Sequence, residues 1–371
     1  MINIIGSFFG SSGYDSHVRN LLKALDKITE VRLTTNGVPN WERLVTDREL
    51  ELIKRKPVKD EINLIISNPL HWRLNATAER NWVYLVSEGD KIPVCFIEEC
   101  MNPDIEKIFC PSTHVIDAVM ETMYILTSDE QSELYDKLEK IPHGVDLELF
   151  YPKEKQDKCI FLANKGFRNL QDRGGIQYLI RAYFEEFTDK DNVELTLKIN
   201  PAYGIPDLNK LIEELVPKKE YKTVPDRLPK LNINTNNIPY DKMVDLYNSA
   251  TVFVSPTRAE AFNLPCLEAL ACGLPVITTN YGGQTDYVVN NINGLFIDYK
   301  LEEIEHEVLY EGISWATPDI GSLRNELRYA YENKSLMKRM GKEGIKTAKE
   351  FTWSSTAKKI SEIINTSEDN I

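Results

Sequence analysis

Short runs of β-branched and aromatic residues alternate along the chain with stretches whose apolar residues recur every three or four positions. INIIGSFF at 2–9 predicts a strand. Val18, Leu21, Leu22 and Leu25 then fall at i, i+3, i+4 and i+7, the stripe of an amphipathic helix. Further strands are expected at 30–35 (EVRLTT), 62–67 (INLIIS), 82–87 (WVYLVS) and 106–112 (EKIFCPS), and Val115, Val119, Met120 and Met123 mark another helix face. The second half repeats this grammar, with strands expected at 159–163, 192–199, 233–238, 251–256, 274–279 and 294–299. Its helices are expected at 176–187, 241–249, 264–272, 319–333 and 335–350, and an amphipathic helix over 351–364 closes the chain. Strands separated by helices lie parallel, because a parallel return needs a long crossover, and the helices then cover both faces of the sheet. The fold class is therefore α/β, with two doubly wound, Rossmann-like domains. Between the halves, IPHGVDLELFYPKEKQDK (141–158) combines Pro, Gly and charge in the manner of a linker. Domains are expected at 1–148 and 149–351. Two such sheets would face each other across a cleft at the carboxyl ends of their strands, where ligands of open parallel sheets bind.

Composition narrows the classes. At 371 residues with 42% hydrophobic and 27% charged, the chain can fill two cores and is not of disordered type. Its 44 basic and 57 acidic side chains leave a net charge of −13, which argues against a nucleic-acid partner and gives no support to a charge-driven membrane anchor. No apolar stretch approaches the roughly 20 residues of a spanning helix. The start, MINIIGSFFG, has no basic segment and reads as a strand, so a cytoplasmic protein without a signal peptide is expected. The six cysteines form no CxxC pair and no metal-ligand spacing, so buried reduced thiols are expected and no metal.

The most informative stretch is SPTRAEAFNLPCLEALACGLPVITTNYGGQTDYV, residues 255–288. It places Glu260 in a loop after a strand and Glu268 inside the following helix. Pro265 suits the first helical turn and Gly273 the stop beyond the last. The N–H groups around Phe262, Asn263 and Leu264 would then project from a helix N-terminus, a place for a diphosphate or for sugar hydroxyls. Ionised carboxylates only accept hydrogen bonds, so the two glutamates suit hydroxyl-rich groups such as a ribose and a hexose. The loop SFFGSSGYDS, with Gly10 and Gly13, lacks GxGxxG, which counts against an NAD enzyme; it fits either a backbone approach to phosphate or sugar, or a plain turn.

The Glu-x7-Glu pair, the EALACGLPVI run after it, the IPHGVDLELF linker, the glycine loop after the first strand, the FCPS turn at 109–112 and the FTW start of the last helix together resemble the retaining glycosyltransferases of family 4, with the GT-B fold. The resemblance covers almost the whole chain. It implies that the last helix, 352–371, packs back on the first domain, which takes the acceptor, while the second takes a nucleotide-sugar donor. By position, Glu268 would hold the ribose, Glu260 the donor sugar as a catalytic-site residue, and Phe262, Asn263 and Leu264 would offer backbone N–H groups. Gly13 would approach the donor from the first domain. The chain departs from the family pattern in three places. Where Glu-Gly-Phe-Gly is common it has Glu260-Ala261-Phe262-Asn263. Where the family has Arg-Lys-Gly it has Asp172-Arg173-Gly174-Gly175, so Arg173 is the leading substitute for the lysine that neutralises the diphosphate, with Lys165 and Lys198 in reserve. Where many members place a histidine after a strand of the first domain, VYLVSEGDKIP brings Glu88, which as a catalytic-site residue would bind the acceptor hydroxyl or face the sugar from the first domain, or would merely cap a turn. His17, His71 and Tyr14 are acceptor-side candidates, and Trp72, Trp82 and Tyr14 are either sugar-stacking or core residues.

The implied reaction is retaining, metal-independent transfer of a hexose from a UDP- or GDP-linked sugar to a glycan or other hydroxyl acceptor, with no cofactor beyond that substrate. Two alternatives stay open: a noncatalytic nucleotide-sugar-binding protein, and an epimerase or phosphorylase on the same fold.

Overall fold

A computed structural model describes residues 1–35, 46–59, 61–154, 157–204, 207–215, 228–305 and 307–368. The chain forms two compact units. The first comprises Met1–Asp146, Glu303–Ser314 and Phe351–Ile371; the second comprises Leu147–Glu302 and Trp315–Glu350. Segment 303–314, expected in the second domain, thus belongs to the first unit.

The first unit holds a parallel sheet of β1 (Ile2–Gly6), β2 (Val31–Thr35), β3 (Ile62–Ile66), β4 (Arg80–Tyr84), β5 (Lys107–Cys110) and β6 (Leu138–Lys140), in the order β2-β1-β3-β4-β5-β6. All five residues of β1 and of β3 are buried, as both-face coverage by crossover helices requires. The edge strand β6 is three residues of mixed polarity with no apolar run to announce it. Of the helices outside the predicted set, Asp47–Lys54 and Ser128–Lys137 are started by capping boxes at Thr46 and Thr127.

Helix Gly13–Leu25 opens on Ser12, whose hydroxyl accepts the Asp15 N–H. The closing helix, Trp353–Glu368, is anchored where Val145 pairs with Thr352 and the Val145 N–H donates to Phe351. Between these elements lies a buried ring cluster: His17 is 4.4 Å from Tyr84, 4.1 Å from His143 and 5.4 Å from Trp353, centroid to centroid. His17 is therefore a core residue, not an acceptor ligand. The stripe that carries Val18 and Leu21 carries it inward too. Trp72 and Trp82 are likewise fully buried, their indole N–H groups taken by Ser67 O and Glu106 Oε2, which removes them as sugar-stacking surfaces.

Burial holds both histidines neutral: His17 lies well below the usual imidazole range, and His143 is pushed down to about 3. The unfolded chain, with ordinary imidazoles near 6.5, binds more protons below that pH, so stability is present above pH 6.5 and is lost as pH falls towards the folded values. Chemical denaturation at pH 7.5 and pH 5 should show about 2 kcal/mol lost per histidine, on the order of 1.4 kcal/mol per pH unit. A His17→Phe variant that retains the whole acid sensitivity would refute this.

The second unit holds β7 (Cys159–Lys165), β8 (Val193–Ile199), β9 (Lys230–Asn234), β10 (Val252–Ser255), β11 (Val276–Thr279) and β12 (Gly294–Ile297), ordered β12-β11-β10-β7-β8-β9 and all parallel. Counted within the unit, the order is 3-2-1-4-5-6, the dinucleotide-fold order, with its switch point between β7 and β10. The strand expected at 233–238 lies at Lys230–Asn234 instead. Asn234 Oδ1 accepts the Asn236 N–H and turns the polar second half away. Helix Ile176–Glu186 and helix Ile320–Glu332 bury Leu179, Tyr183, Leu323 and Leu327 against Phe161 and Leu195 of the sheet. A two-stranded ribbon of β13 (Tyr299–Glu303) and β14 (Ser314–Pro318) lies outside both sheets. All six cysteines are free, five of them buried. Among the described residues, no helix is long and apolar enough to cross a membrane.

Candidate functional site

At the switch point of the second sheet, β7 ends on Lys165 and β10 runs into the loop that carries Glu260. The Lys165 ammonium, buried, lies 2.7 Å from Glu260 Oε1 and 2.7 Å from Asn263 Oδ1. Asn263 in turn donates to Ser255 Oγ. Arg173 reaches the same loop: its guanidinium donates to Ala259 O at 3.3 Å, and its charge acts on Glu260. Burial alone would raise the Glu260 pKa. Lys165 and Arg173 outweigh it and hold the carboxyl below its usual range, so Glu260 is ionised.

Helix Leu264–Ala271 begins at Asn263, which adopts the left-handed conformation at φ 69°. The asparagine that departs from the family's glycine thus sits where a glycine would be at ease. It is the side chain other than glycine that most readily visits this region, and its amide is tied at both ends. Tyr287 Oη lies 2.9 and 2.7 Å from the carbonyl oxygens of Phe262 and Asn263 and fixes the turn from behind. The N–H groups around Phe262 to Leu264 lie at the N-terminal end of this helix, where its dipole favours an anion.

Glycines hold this loop at two points. Gly175, at φ 78°, brings its α-carbon so close to Pro256 that a Cβ would lie 1.8 Å from the carbonyl oxygen. Gly283 donates its N–H to Glu260 O at 2.8 Å, and a Cβ there would sit 2.0 Å from Ala261 O. Arg258 completes the clamp, donating to Gln171 O and Ala316 O and lying over Trp315. Gly282, Gly283, Tyr287 and Arg258 were not singled out in the sequence. A Gly-Gly pair directly after a strand was the available signal for the first two.

Glu268, one turn into the helix, is the charged side chain of an otherwise apolar, buried segment. Tyr247 donates to its Oε2 at 2.6 Å and Tyr240 to its Oε1 at 3.1 Å. Burial raises the Glu268 carboxyl to about 7 against the opposing pull of these phenols and of Lys165. Glu260 and Glu268 are thus separated in character: one ionised by two cations, the other poised near neutrality.

Lys198 does not join this cluster. It pairs in register with Asn164, one residue before Lys165, and its ammonium donates to Ile199 O instead of to Glu260 or Asn263, while burial lowers it to about 8.

In the first unit, Glu88 follows β4 and accepts from Tyr310 Oη at 3.0 Å. Gly89, at φ 132°, packs so tightly under Ile313 that a Cβ would meet it at 2.4 Å, and Asp90 exchanges two hydrogen bonds with the Ser314 backbone. The 303–314 segment therefore holds the Glu88 loop in place. Gly13 opens its helix with nothing among the described residues within 4 Å of a would-be Cβ, and Tyr14 beside it is half-buried. The loop before them is less open to phosphate than its glycines suggest, because the Asp15 carboxylate already accepts the N–H groups of Gly10 and Ser12. His71 is exposed at the end of a 3-10 turn after β3. Among the described residues, no three His, Cys, Asp or Glu side chains come together to hold a metal ion.

Residues 229–310 match the family model described as Glycosyl transferases group 1. The matched stretch contains Tyr240, Tyr247, Glu260, Asn263 and Glu268, and leaves out Lys165 and Arg173. A D-inositol 3-phosphate glycosyltransferase of Acidothermus cellulolyticus is 26% identical over 182 residues, 44% of this chain and 37% of that one. The match thus spans well under two thirds of that curated relative. Two solved structures align over nearly the full length. The sucrose-phosphate synthase of Thermosynechococcus elongatus superposes at TM-score 0.66 with 18% identity, over 100% of both chains. Anabaena HepE, solved with UDP and glucose, superposes at 0.67 with 11% identity, over 98% of this chain and 99% of that one. At such identities the likeness is one of fold: two Rossmann-like α/β units, as in GT-B glycosyltransferases.

Proposed function

We propose that the protein is a retaining, metal-independent glycosyltransferase that moves a hexose from a nucleoside-diphosphate sugar to a hydroxyl acceptor. The observation that carries this reading is the cluster at the β7/β10 switch point. There a buried lysine, an ionised glutamate and a left-handed asparagine surround the start of a helix, and a second carboxylate, buried, sits one turn inside it. Each part has a task. Glu268 accepts hydrogen bonds from the ribose. Glu260 and the N–H groups of Phe262 to Leu264 accept and donate to the sugar hydroxyls and the diphosphate. Lys165 and Arg173 supply the positive charge that a departing diphosphate requires, which supports transfer without a divalent cation.

Retention follows if the acceptor attacks from the face the diphosphate leaves, with a diphosphate oxygen taking the acceptor proton. Glu260 cannot readily serve as a nucleophile while Lys165 and Asn263 hold its neighbourhood, so the two-carboxylate glycosidase scheme is not invoked. The acceptor is assigned to the first unit. Glu88, braced by Tyr310, takes its hydroxyl, and the exposed His71 and half-buried Tyr14 are the remaining acceptor-side side chains.

The test is release of nucleoside diphosphate from UDP-, GDP- and ADP-linked hexoses, with and without a pool of sugar and polyol acceptors, and with EDTA in a parallel set. Acceptor-dependent release from one donor that persists in EDTA is the expected result. Binding without release in the presence of every acceptor class would identify a noncatalytic binding protein, and release abolished by EDTA would remove the metal-free scheme.

A further inference from the structure

Glu268 is held by a three-residue relay. Asn164, the penultimate residue of β7, donates through Nδ2 to Tyr247 Oη at 3.2 Å, and Tyr247 donates its own proton to Glu268 Oε2 at 2.6 Å. The order of donors is forced, since a carboxylate and an amide N–H leave the phenol only one way to point. Tyr247 is fully buried, and the Phe150 ring packs edge-on against both tyrosines, 5.8 Å from Tyr247 and 5.4 Å from Tyr240. Oε2 is thus committed to the protein. Among the described residues, Oε1 meets only the longer contact from Tyr240, a half-buried side chain on a short 3-10 turn.

We propose that Tyr247, oriented by Asn164, is a positioning residue that favours the ionised form of Glu268 and turns its Oε1 towards the ribose, so that below neutral pH nucleotide binding is coupled to the loss of one proton from this carboxyl. The inference rests on the donor-site reading above and deepens it. Two ribose hydroxyls need acceptors, and a protonated carboxyl gives up one of its acceptor positions to its own hydrogen.

The titratable groups facing Glu268 agree with this assignment. Burial raises the carboxyl to about 7, while Tyr247, Tyr240 and Lys165 favour its charged form. Tyr287 also lies within electrostatic reach, and burial holds its phenol neutral; Cys272 acts on Tyr247 from the end of the helix. Removing the Tyr247 hydroxyl takes away the strongest of the groups that lower the Glu268 value, so the carboxyl must rise further.

The experiment is calorimetric titration of UDP, GDP and ADP between pH 5.5 and 9 into the wild type, Tyr247→Phe and Asn164→Ala. For the nucleotide that binds, wild-type affinity should fall up to about tenfold per pH unit below a midpoint near neutrality, the slope of one-proton linkage. Tyr247→Phe should move that midpoint upward by about one unit. Its binding would be weakened roughly fivefold at pH 7 and restored to near wild type at pH 9. Asn164→Ala should shift it the same way by less, and it carries the test if Tyr247→Phe does not fold. A 2′,3′-dideoxynucleoside diphosphate should bind weakly with no such pH dependence. Uniform weakening at every pH, or an unmoved midpoint, would show Tyr247 to be merely structural and overturn the inference while leaving the donor site intact. If the wild type binds none of the three nucleotides at any pH, the donor-site reading itself fails and the relay falls with it.

Discussion

Lys165→Met is expected to reduce nucleoside diphosphate release by at least about a hundredfold, some 2.7 kcal/mol of transition-state stabilisation. Its side chain is 6% exposed, and its ammonium serves Glu260 and Asn263 at once. Methionine keeps the length and removes the charge. Glu260 would then stay in place with Arg173 as its nearby cation, and Asn263 Oδ1 would lose its donor. Breaking one side of a buried pair costs about 3–5 kcal/mol because the other charge is left uncompensated. The second unit should therefore also unfold at lower denaturant. Lys165→Arg restores charge but not the compact single donor that fits between two oxygens, and should recover stability better than turnover. A Lys165→Met protein with release within about threefold of wild type would remove this lysine from the diphosphate site.

Gly175→Ala is expected to be the most damaging single-methyl change in the second unit. The new Cβ would lie 1.8 Å from Pro256 O at a φ of 78°, so the β10 loop must move or the turn before helix Ile176–Glu186 must open. A cost of about 3 kcal/mol or more follows from strain and displacement together. Gly204→Ala is the control. Gly204 shares the positive φ, at 91°, but among the described residues nothing lies within 4 Å of an added Cβ, so it should lose only about 1–2 kcal/mol for the left-handed conformation. Guanidinium denaturation of the two variants separates the effects. Because the Pro256 loop leads straight to Glu260, Gly175→Ala should also weaken nucleotide binding. Equal midpoints for the two variants would show that the close approach is not under constraint.

Much of the site was readable from a single stretch. Glu260, Asn263, Pro265, Glu268 and Gly273 lie within fourteen residues, and helix capping rules place them without tertiary knowledge. Arg173 was the sequence's leading cation, and the structure puts it beside Glu260. Lys165, held in reserve, makes the direct contact, because the end of β7 lies next to β10 only once the sheet has assembled. Lys198 shows the converse. A basic residue at a strand end looks equivalent on paper, yet the Lys198 ammonium ends on the Ile199 carbonyl oxygen, away from Glu260 and Asn263.

Local sequence determined what local physics can determine. Period-two and period-3.6 patterns marked most strands and helices, turn and cap residues marked their ends, and the alternation of the two implied parallel α/β sheets. Strand order, the switch point, and the partners of each buried polar group were decided only by tertiary structure. Asn164 and Tyr247 meet across 83 residues, Lys165 and Glu260 across 95, and Gly283 closes on the Glu260 loop from a different strand. His17 makes the same point from the opposite side. A polar residue on an amphipathic helix reads as exposed until another helix covers it, and here Trp353, more than three hundred residues away in the chain, is part of what does so. Hydrophobic burial is non-directional and fixes which faces turn inward, whereas a hydrogen bond or an ion pair needs its partner within about 3 Å, a condition that only the assembled chain can meet.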